Sequence, residues 1–588
     1  MRKFNIKAGI VLGLVLVLTN SCSDSFLEVT PNGALDQKVL ATKDGVNALL
    51  IGAYAMIDGV SGNGFGWEAA SSNWVYGSIR GLEANKGTDA GDQPDINPIQ
   101  KYTETATNPY LSVKWGSIYD AIARVNQVLN VLAVAEADGA ISAEDADSFR
   151  RQARTLRGFY HLEAYKLWVK IPYVDETTNL DEVTNADSEQ TVNVDKIIAD
   201  LDAGTTLPND MDQIGRFNGT VAKVLKAKAL MQMKKDYTGA KTLLADVITN
   251  GKDSEGNEIG FEPKYGDIFD TEKRNGVEAI YTVQYSVNDG SGGWNGGWGE
   301  VLNFPYKSGA SPGGCCGFFI PSGDLVNSFK TKPDGLPYLD NTYNNAPLKN
   351  DQGLTPKQAF TPDGATPLDP RLDWTVGRRG IPYLDWGVHT GSDWIRDQSY
   401  SGPYSPKKQV YKKSQEGKLT EVGNWTSGWT ANGYRLIRYA DVVLLLAECQ
   451  IETNDLAAAR SNVNRVRGRA TNPDGFVKNA DESGPAANYV ISIYPTGGAS
   501  DPFSSQASAR VALMMERKLE LGMEGHRFFD LQRWGVVQSE LNRILTTYEG
   551  GIRSGLYGIG VTVGPEDVTF PIPQGQIDRM KGRLEQNR

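Results

Sequence analysis

Two blocks of helical periodicity, separated by a long stretch that has none, most constrain what this chain can fold into. Phe149, Ala153, Leu156, Tyr160, Ala164 and Leu167 recur at steps of three or four and make one apolar stripe that must stop before Pro172. The preceding segment, residues 115–132, sets Tyr119, Ile122, Val125, Leu129 and Leu132 on one side and is its natural partner. Residues 221–233 and 237–248 are two further apolar-faced segments hinged at Lys235 and Asp236, with Ala227, Ala229 and Ala240 where helices can approach closely. The pattern returns at Tyr439, Val442, Val443, Leu446 and Ala447, then, after a turn at 453–455, at Leu456, Ala459, Val463 and Val466. This spacing predicts a mainly α fold of tetratricopeptide-like helix pairs, roughly four of them, without a fixed period. The scaffold is expected at about 36–250 and 433–545 of a single domain that begins at residue 22.

The intervening region, about 251–432, changes character. Gly-rich runs such as 291–299, Asp-Gly and Pro-Asp punctuation, and short extended stretches such as 279–285 predict loops carrying a few short strands. Loops this long inside a domain are functional or disordered. More than half of the chain's 12 tryptophans lie here, which argues against disorder.

The first 21 residues read as a secretory leader. Arg2, Lys3 and Lys7 precede an apolar run at 8–18, which spans roughly half of a ~30 Å hydrocarbon core and so cannot cross it as a helix. Small polar residues then lead to Cys22, the position at which a bacterial lipoprotein is acylated; cleavage nearby, with Cys22 a bystander, is the alternative. Two or more acyl chains anchor a protein durably, so the mature chain is expected on a membrane through lipid alone. The formal charge is −11 with three leader cations included, and so acidic a chain is not expected to bind nucleic acid. His161, His389 and His526 are scattered, without metal-ligand spacing, and read as packed or hydrogen-bonded histidines. No metal and no cofactor beyond the lipid are expected.

Several runs carry a resemblance. Tyr434-Arg-Leu-Ile-Arg-Tyr-Ala-Asp-Val-Val-Leu-Leu-Leu-Ala-Glu448, Asn464-Arg-Val-Arg467 and Glu516-Arg-Lys-Leu-Glu-Leu-Gly-Met-Glu-Gly-His-Arg-Phe-Phe-Asp-Leu-Gln-Arg-Trp-Gly535 resemble the C-terminal signature of the SusD/RagB family. The likeness extends to Lys86-Gly-Thr-Asp89 and Phe570-Pro-Ile-Pro573, with a departure at Gly81-Leu82-Glu83-Ala84 that bears on ligand contacts. The resemblance implies a surface lipoprotein of the outer membrane, facing the exterior, which binds nutrient, usually glycan, and partners a SusC-like TonB-dependent barrel. Glu516, Arg517, Glu520, Glu524, Arg527, Asp530 and Arg533 alternate in sign at helical spacing and read as scaffold ion pairs. Asp441 and Glu448, two turns apart, are the one arrangement suggesting acid/base work, but they flank an apolar stripe, and no catalytic residue is assigned.

A sugar offers apolar C–H faces and rows of hydroxyls, so a receptor needs exposed aromatic rings and forked polar groups. Trp294 and Trp298, in Ser-Gly-Gly-Trp-Asn-Gly-Gly-Trp-Gly, either stack on sugar or plug a loop onto the core. Arg378 and Arg379 are glycine-flanked candidate donors, with Trp386 and Tyr404 nearby in sequence. Asp58, Trp67 and Trp74 sit in or beside a glycine-rich loop able to face the same cleft. Adjacent Cys315 and Cys316 either bridge, as a rigid platform beside the aromatics, or remain two thiols. The expected function is glycan capture and delivery to the barrel; a peptide ligand, or glycoside hydrolysis on the same surface, are the alternatives.

Overall fold

The computed structural model describes residues 37–307, 311–423, 426 and 428–588. The leader, Cys22 and Trp425 lie outside the described residues. The scaffold is built from α1 (Lys43–Ala55), α2 (Pro109–Ala137), α3 (Ala143–Trp168), α4 (Asp187–Ala203), α5 (Gly219–Ala229), α6 (Tyr237–Asn250), α7 (Tyr439–Glu452), α8 (Leu456–Ala470), α9 (Gln506–Leu521) and α10 (Arg527–Trp534). Helices α2 and α3, α5 and α6, and α7 and α8 pack as successive pairs, the tetratricopeptide-like arrangement anticipated from the periodicity.

Local chemistry sets the ends. Pro109 occupies the first turn of α2, where its missing N–H costs nothing, and the Asn108 side chain accepts from the Tyr110 N–H at 3.0 Å. Ser142 caps α3 by accepting from the Asp145 N–H at 3.1 Å. All six residues of the α3 stripe are buried, and the helix ends at Trp168 as Val169 turns to φ +57°, ahead of Pro172. Lys235, at φ +54°, and Asp236, which accepts from the Gly239 N–H at 2.8 Å, make the hinge before α6. Helix α7 is buried from Tyr439 to Ile451 on every side, because α6, α8 and α9 surround it.

Between α6 and residue 434 no helix among the described residues exceeds the six residues of Gly323–Ser328. Short strands β1 (Ala84–Gly87), β2 (Ala279–Val283), β3 (Phe318–Pro321), β4 (Val376–Arg378), β5 (Tyr404–Pro406), β6 (Thr420–Glu421), β7 (Trp429–Thr430) and β8 (Tyr434–Arg438) pair antiparallel as β1–β3, β2–β8, β4–β5 and β6–β7. The β6–β7 pair is a local hairpin, whereas β1–β3 and β2–β8 staple segments distant in sequence, and β2–β8 delivers the chain from the loop-rich region directly into α7.

Beneath these staples lies a charged core. Arg438 donates to Glu278, Glu520 and Glu524 at 2.9, 2.8 and 2.7 Å, and Arg371 to Asp369, Glu516 and Glu520 at 2.7, 2.7 and 2.9 Å. Arg467 joins Glu516 at 2.8 Å, and Arg469 reaches both Glu278 and Glu520. The alternating charges of α9 and α10 are therefore mostly ties between elements, and they are buried rather than spread over a solvated face. Asp441 pairs with Arg517 at 2.9 Å and Lys228 at 2.8 Å, and Glu448 with Arg533 at 2.7 Å. Both carboxylates are buried and neutralised, which removes them as an acid/base pair. Glu83 is likewise internal, accepting from Ser78 Oγ and from the Met523 N–H, so the departure at residues 81–84 concerns packing and not ligand contact.

Candidate functional site

Two glycine-rich loops meet and stack four aromatic rings. The first follows α1, where Gly59 takes φ +85° and a Cβ on it would lie 2.4 Å from the Ala69 carbonyl oxygen, so only glycine closes the loop. The second, residues 286–299, closes on itself: the Ser286 N–H donates to the Asn295 carbonyl at 2.8 Å, and Asp289 accepts from the Ser291 N–H and from Asn295 Nδ2 at 2.9 and 2.8 Å. Gly293 stands at φ +88° with the Trp429 ring against it, 2.3 Å from where a Cβ would be. The glycines in this loop are thus partly a packing requirement.

Phe65 stacks on Trp67 (4.4 Å, 9° between planes), Trp67 faces Trp298 (6.0 Å, 26°), and Trp298 stacks on Trp294 (4.9 Å, 25°). Trp298 donates Nε1–H to the Gly293 carbonyl at 3.1 Å and tilts against Trp429 at 5.3 Å. The inner rings, Trp67 and Trp298, are each 6% exposed, whereas the outer ones, Phe65 and Trp294, are 55% and 62% exposed. Of the two alternatives for the tryptophan pair, each ring takes one: Trp298 plugs the loop and Trp294 is displayed. Two large apolar rings held from behind and left exposed make this the candidate stacking surface. Phe65 is not among the residues expected from the sequence, although it lies between Gly64 and Gly66 in a glycine-rich run, as Trp294 lies in one between Gly293 and Asn295. The same cue, extended from indoles to any ring, finds it.

Beside this ladder a cleft of about 430 Å³ opens between α1, residues 213–216 and the segment from β2 to Asn295. Asp58 lines it, accepting from the Val60 N–H at 2.6 Å, and burial pushes its carboxyl up to about 7. Glu300, buried behind the same loop, is also raised to about 7 by burial, with Tyr285 Oη at 3.4 Å.

The remaining candidates are placed elsewhere. Trp74 is 1% exposed, donates to the Gly299 carbonyl at 3.0 Å and packs edge-on to Phe318 and Phe319, so it belongs to the core. Arg378 is buried with both prongs on Asp373, at 2.6 and 2.9 Å, and Tyr489 shares that carboxylate. Arg379 donates to the carbonyls of Thr355, Pro356 and Gln358 and pins their loop. Tyr404 is buried in β5. Trp386 is half-buried, bonded to the Tyr411 carbonyl at 3.0 Å, in a small cluster with Phe304, Tyr383 and Trp394. Cys315 and Cys316 are joined as a disulfide that packs against the main core, Cys316 buried and Cys315 half-buried, in a loop whose Gly313 N–H donates to Tyr411 Oη at 3.1 Å. Trp74, Arg378, Arg379, Tyr404 and Trp386 read as site residues in sequence because glycine-flanked arginines and loop aromatics look alike whether they point outward or inward.

Arg378 gives a clean test of its reassignment. Arg378→Ala is expected to cost about 3–5 kcal/mol of stability by leaving Asp373 buried without its cation, read as a lower urea midpoint, while the folded fraction keeps its ligand affinity.

Residues 277–588 match the family model described as the SusD family, and residues 25–252 one described as "Starch-binding associating with outer membrane". The SusD-like protein P25 of Formosa agariphila is 22% identical over 556 residues, 90% of each chain. Among solved structures, a SusD-like carbohydrate binding protein from Bacteroides fragilis is similar at TM-score 0.64 and 20% identity, covering 93% of this chain and 99% of that one. A surface glycan-binding protein A from Bacteroides thetaiotaomicron, in complex with laminarihexaose, is similar at TM-score 0.60 and 19% identity over 93% and 99%.

Proposed function

The chain belongs to the SusD family, and on that premise we propose that it is a non-catalytic glycan-binding protein of the outer membrane, anchored by lipid on Cys22 and facing the exterior, which captures oligosaccharide and passes it to a SusC-like TonB-dependent barrel. The observation that carries the reading is the pair of exposed rings, Trp294 and Phe65, each stacked on a buried tryptophan. A sugar's C–H face lies against such a ring with little ordering cost, since the rings are already immobilised by Trp298 and Trp67. The structural relatives bound to or named for laminarin and other glycans support the ligand class. The name of the second matching family supports the outer membrane.

A binder and a hydrolase differ in what remains after incubation. The soluble form, begun after Cys22, is expected to bind at least one neutral oligosaccharide series on a glycan array saturably, with no new reducing ends. Release of reducing ends would make it an enzyme; binding of peptides with no glycan bound would make the ladder a peptide surface.

A further inference from the structure

The cleft beside Trp294 holds polar groups that the fold leaves unspent. Tyr54, Arg216, Tyr281 and Gln284 line it but are committed. Tyr54 Oη donates to Gln152 and accepts from the Phe217 N–H, and Tyr281 Oη donates to the Gly215 carbonyl. Gln284 exchanges both amide ends with Asn275, and Arg216 spreads its guanidinium over Gln213, Gln152 and Asn47. Three others keep capacity. Asp58 engages one carboxyl oxygen, on the Val60 N–H. Gln213 engages only its carbonyl oxygen, on Arg216 Nε at 2.8 Å. Asn295 engages only its amide nitrogen, on Asp289. Among the described residues, therefore, one carboxyl oxygen, one amide nitrogen and one amide oxygen line a single cleft without protein partners, and Asn295 is the residue directly after Trp294.

We propose that this cleft is a second subsite for the glycan held on the ring ladder, taking a further sugar unit of the same chain through Asp58, Gln213 and Asn295. The inference rests on the stacking surface described above and adds its continuation. A volume of about 430 Å³ lies within the roughly 300–1,000 Å³ of small-ligand clefts. Amide and carboxyl groups in mixed donor and acceptor roles suit hydroxyls, which do both. The lining of the cleft carries one acid, Asp58, and one guanidinium, Arg216, which is bonded to three neutral amides, while Asp289 is bonded to Asn295.

The test uses an array of oligosaccharide series, glucan, mannan, xylan and galactan together with uronate and sulfated series, each printed at two and six units. Wild type, Asp58→Ala, Gln213→Ala and Trp294→Ala are compared. Asp58→Asn keeps the Val60 turn and serves should the alanine variant fail to fold. The affinity gained on going from two to six units is expected to shrink about five- to tenfold in the Asp58 and Gln213 variants, the size of lost uncharged hydrogen bonds. Trp294→Ala should weaken both lengths alike. An unchanged gain in folded Asp58 and Gln213 variants overturns the subsite and leaves the ladder standing. Binding of no series by wild type overturns the ladder and the subsite together.

Discussion

Trp294→Ala is expected to abolish most glycan affinity, by about thirtyfold or more, while leaving the melting temperature within experimental scatter of wild type. The affinity loss follows from the ring's position at the outer end of the ladder: it offers a full indole face, and central aromatic anchors of this kind contribute about 2 kcal/mol or more on truncation. The unchanged stability follows from exposure. At 62% exposed, with its inner face on Trp298, Trp294 leaves no cavity when removed, and such surface changes usually fall within about 0.5 kcal/mol. Isothermal titration with the best array ligand, beside a thermal melt, separates the two effects. Phe65→Ala should show a smaller loss of the same kind, because a phenyl face is smaller than an indole. Wild-type affinity in both variants would sink the ladder as a binding surface. Loss of stability alongside affinity would instead make Trp294 a packing residue.

The second large effect concerns the charged core. Arg438→Ala is expected to destabilise by at least about 3–5 kcal/mol, because Glu278, Glu520 and Glu524 would lose a shared partner while staying out of water. Guanidinium unfolding with an unchanged slope reads this directly. Burial alone would raise the Glu520 carboxyl, but Arg469, Arg438 and Arg371 overcome it and hold that group well below the usual carboxylate range. Asp530 is held at about 2 against its own burial by Arg517 and Arg533. A depressed carboxyl contributes stability above its unfolded value of about 4 and loses that contribution as pH falls through the folded value, so these groups weaken the fold from about pH 4 downward. Glu83, Glu300 and Glu549 do the reverse: burial lifts each to about 7, and what their neutral forms contribute is lost as pH rises from about 4 through 7. Melting temperature is therefore expected to peak near about pH 4 to 5, and a monotonic rise from pH 3 to pH 8 would contradict this assignment.

What the sequence determined by itself was the scaffold. The stripe from Phe149 to Leu167, the hinge at Lys235 and Asp236, and the turn before Leu456 are set by contacts three and four residues apart, and such contacts are written in the spacing. It also determined the family, through the runs that become β8, α7, α9 and α10. Tertiary structure alone decided which loop residues face outward. Trp294 and Trp298 are four apart in one glycine-rich run, yet one is displayed and the other plugged, because Trp298 packs against Trp67, near Gly66, and against Trp429, all distant in sequence. Arg378 turned inward because Asp373 and Tyr489 receive it there, and Phe65 outward because Trp67 fills the space beneath. Outside regular elements no periodicity ties a residue to a face, so exposure is fixed only when segments hundreds of residues apart close on one another.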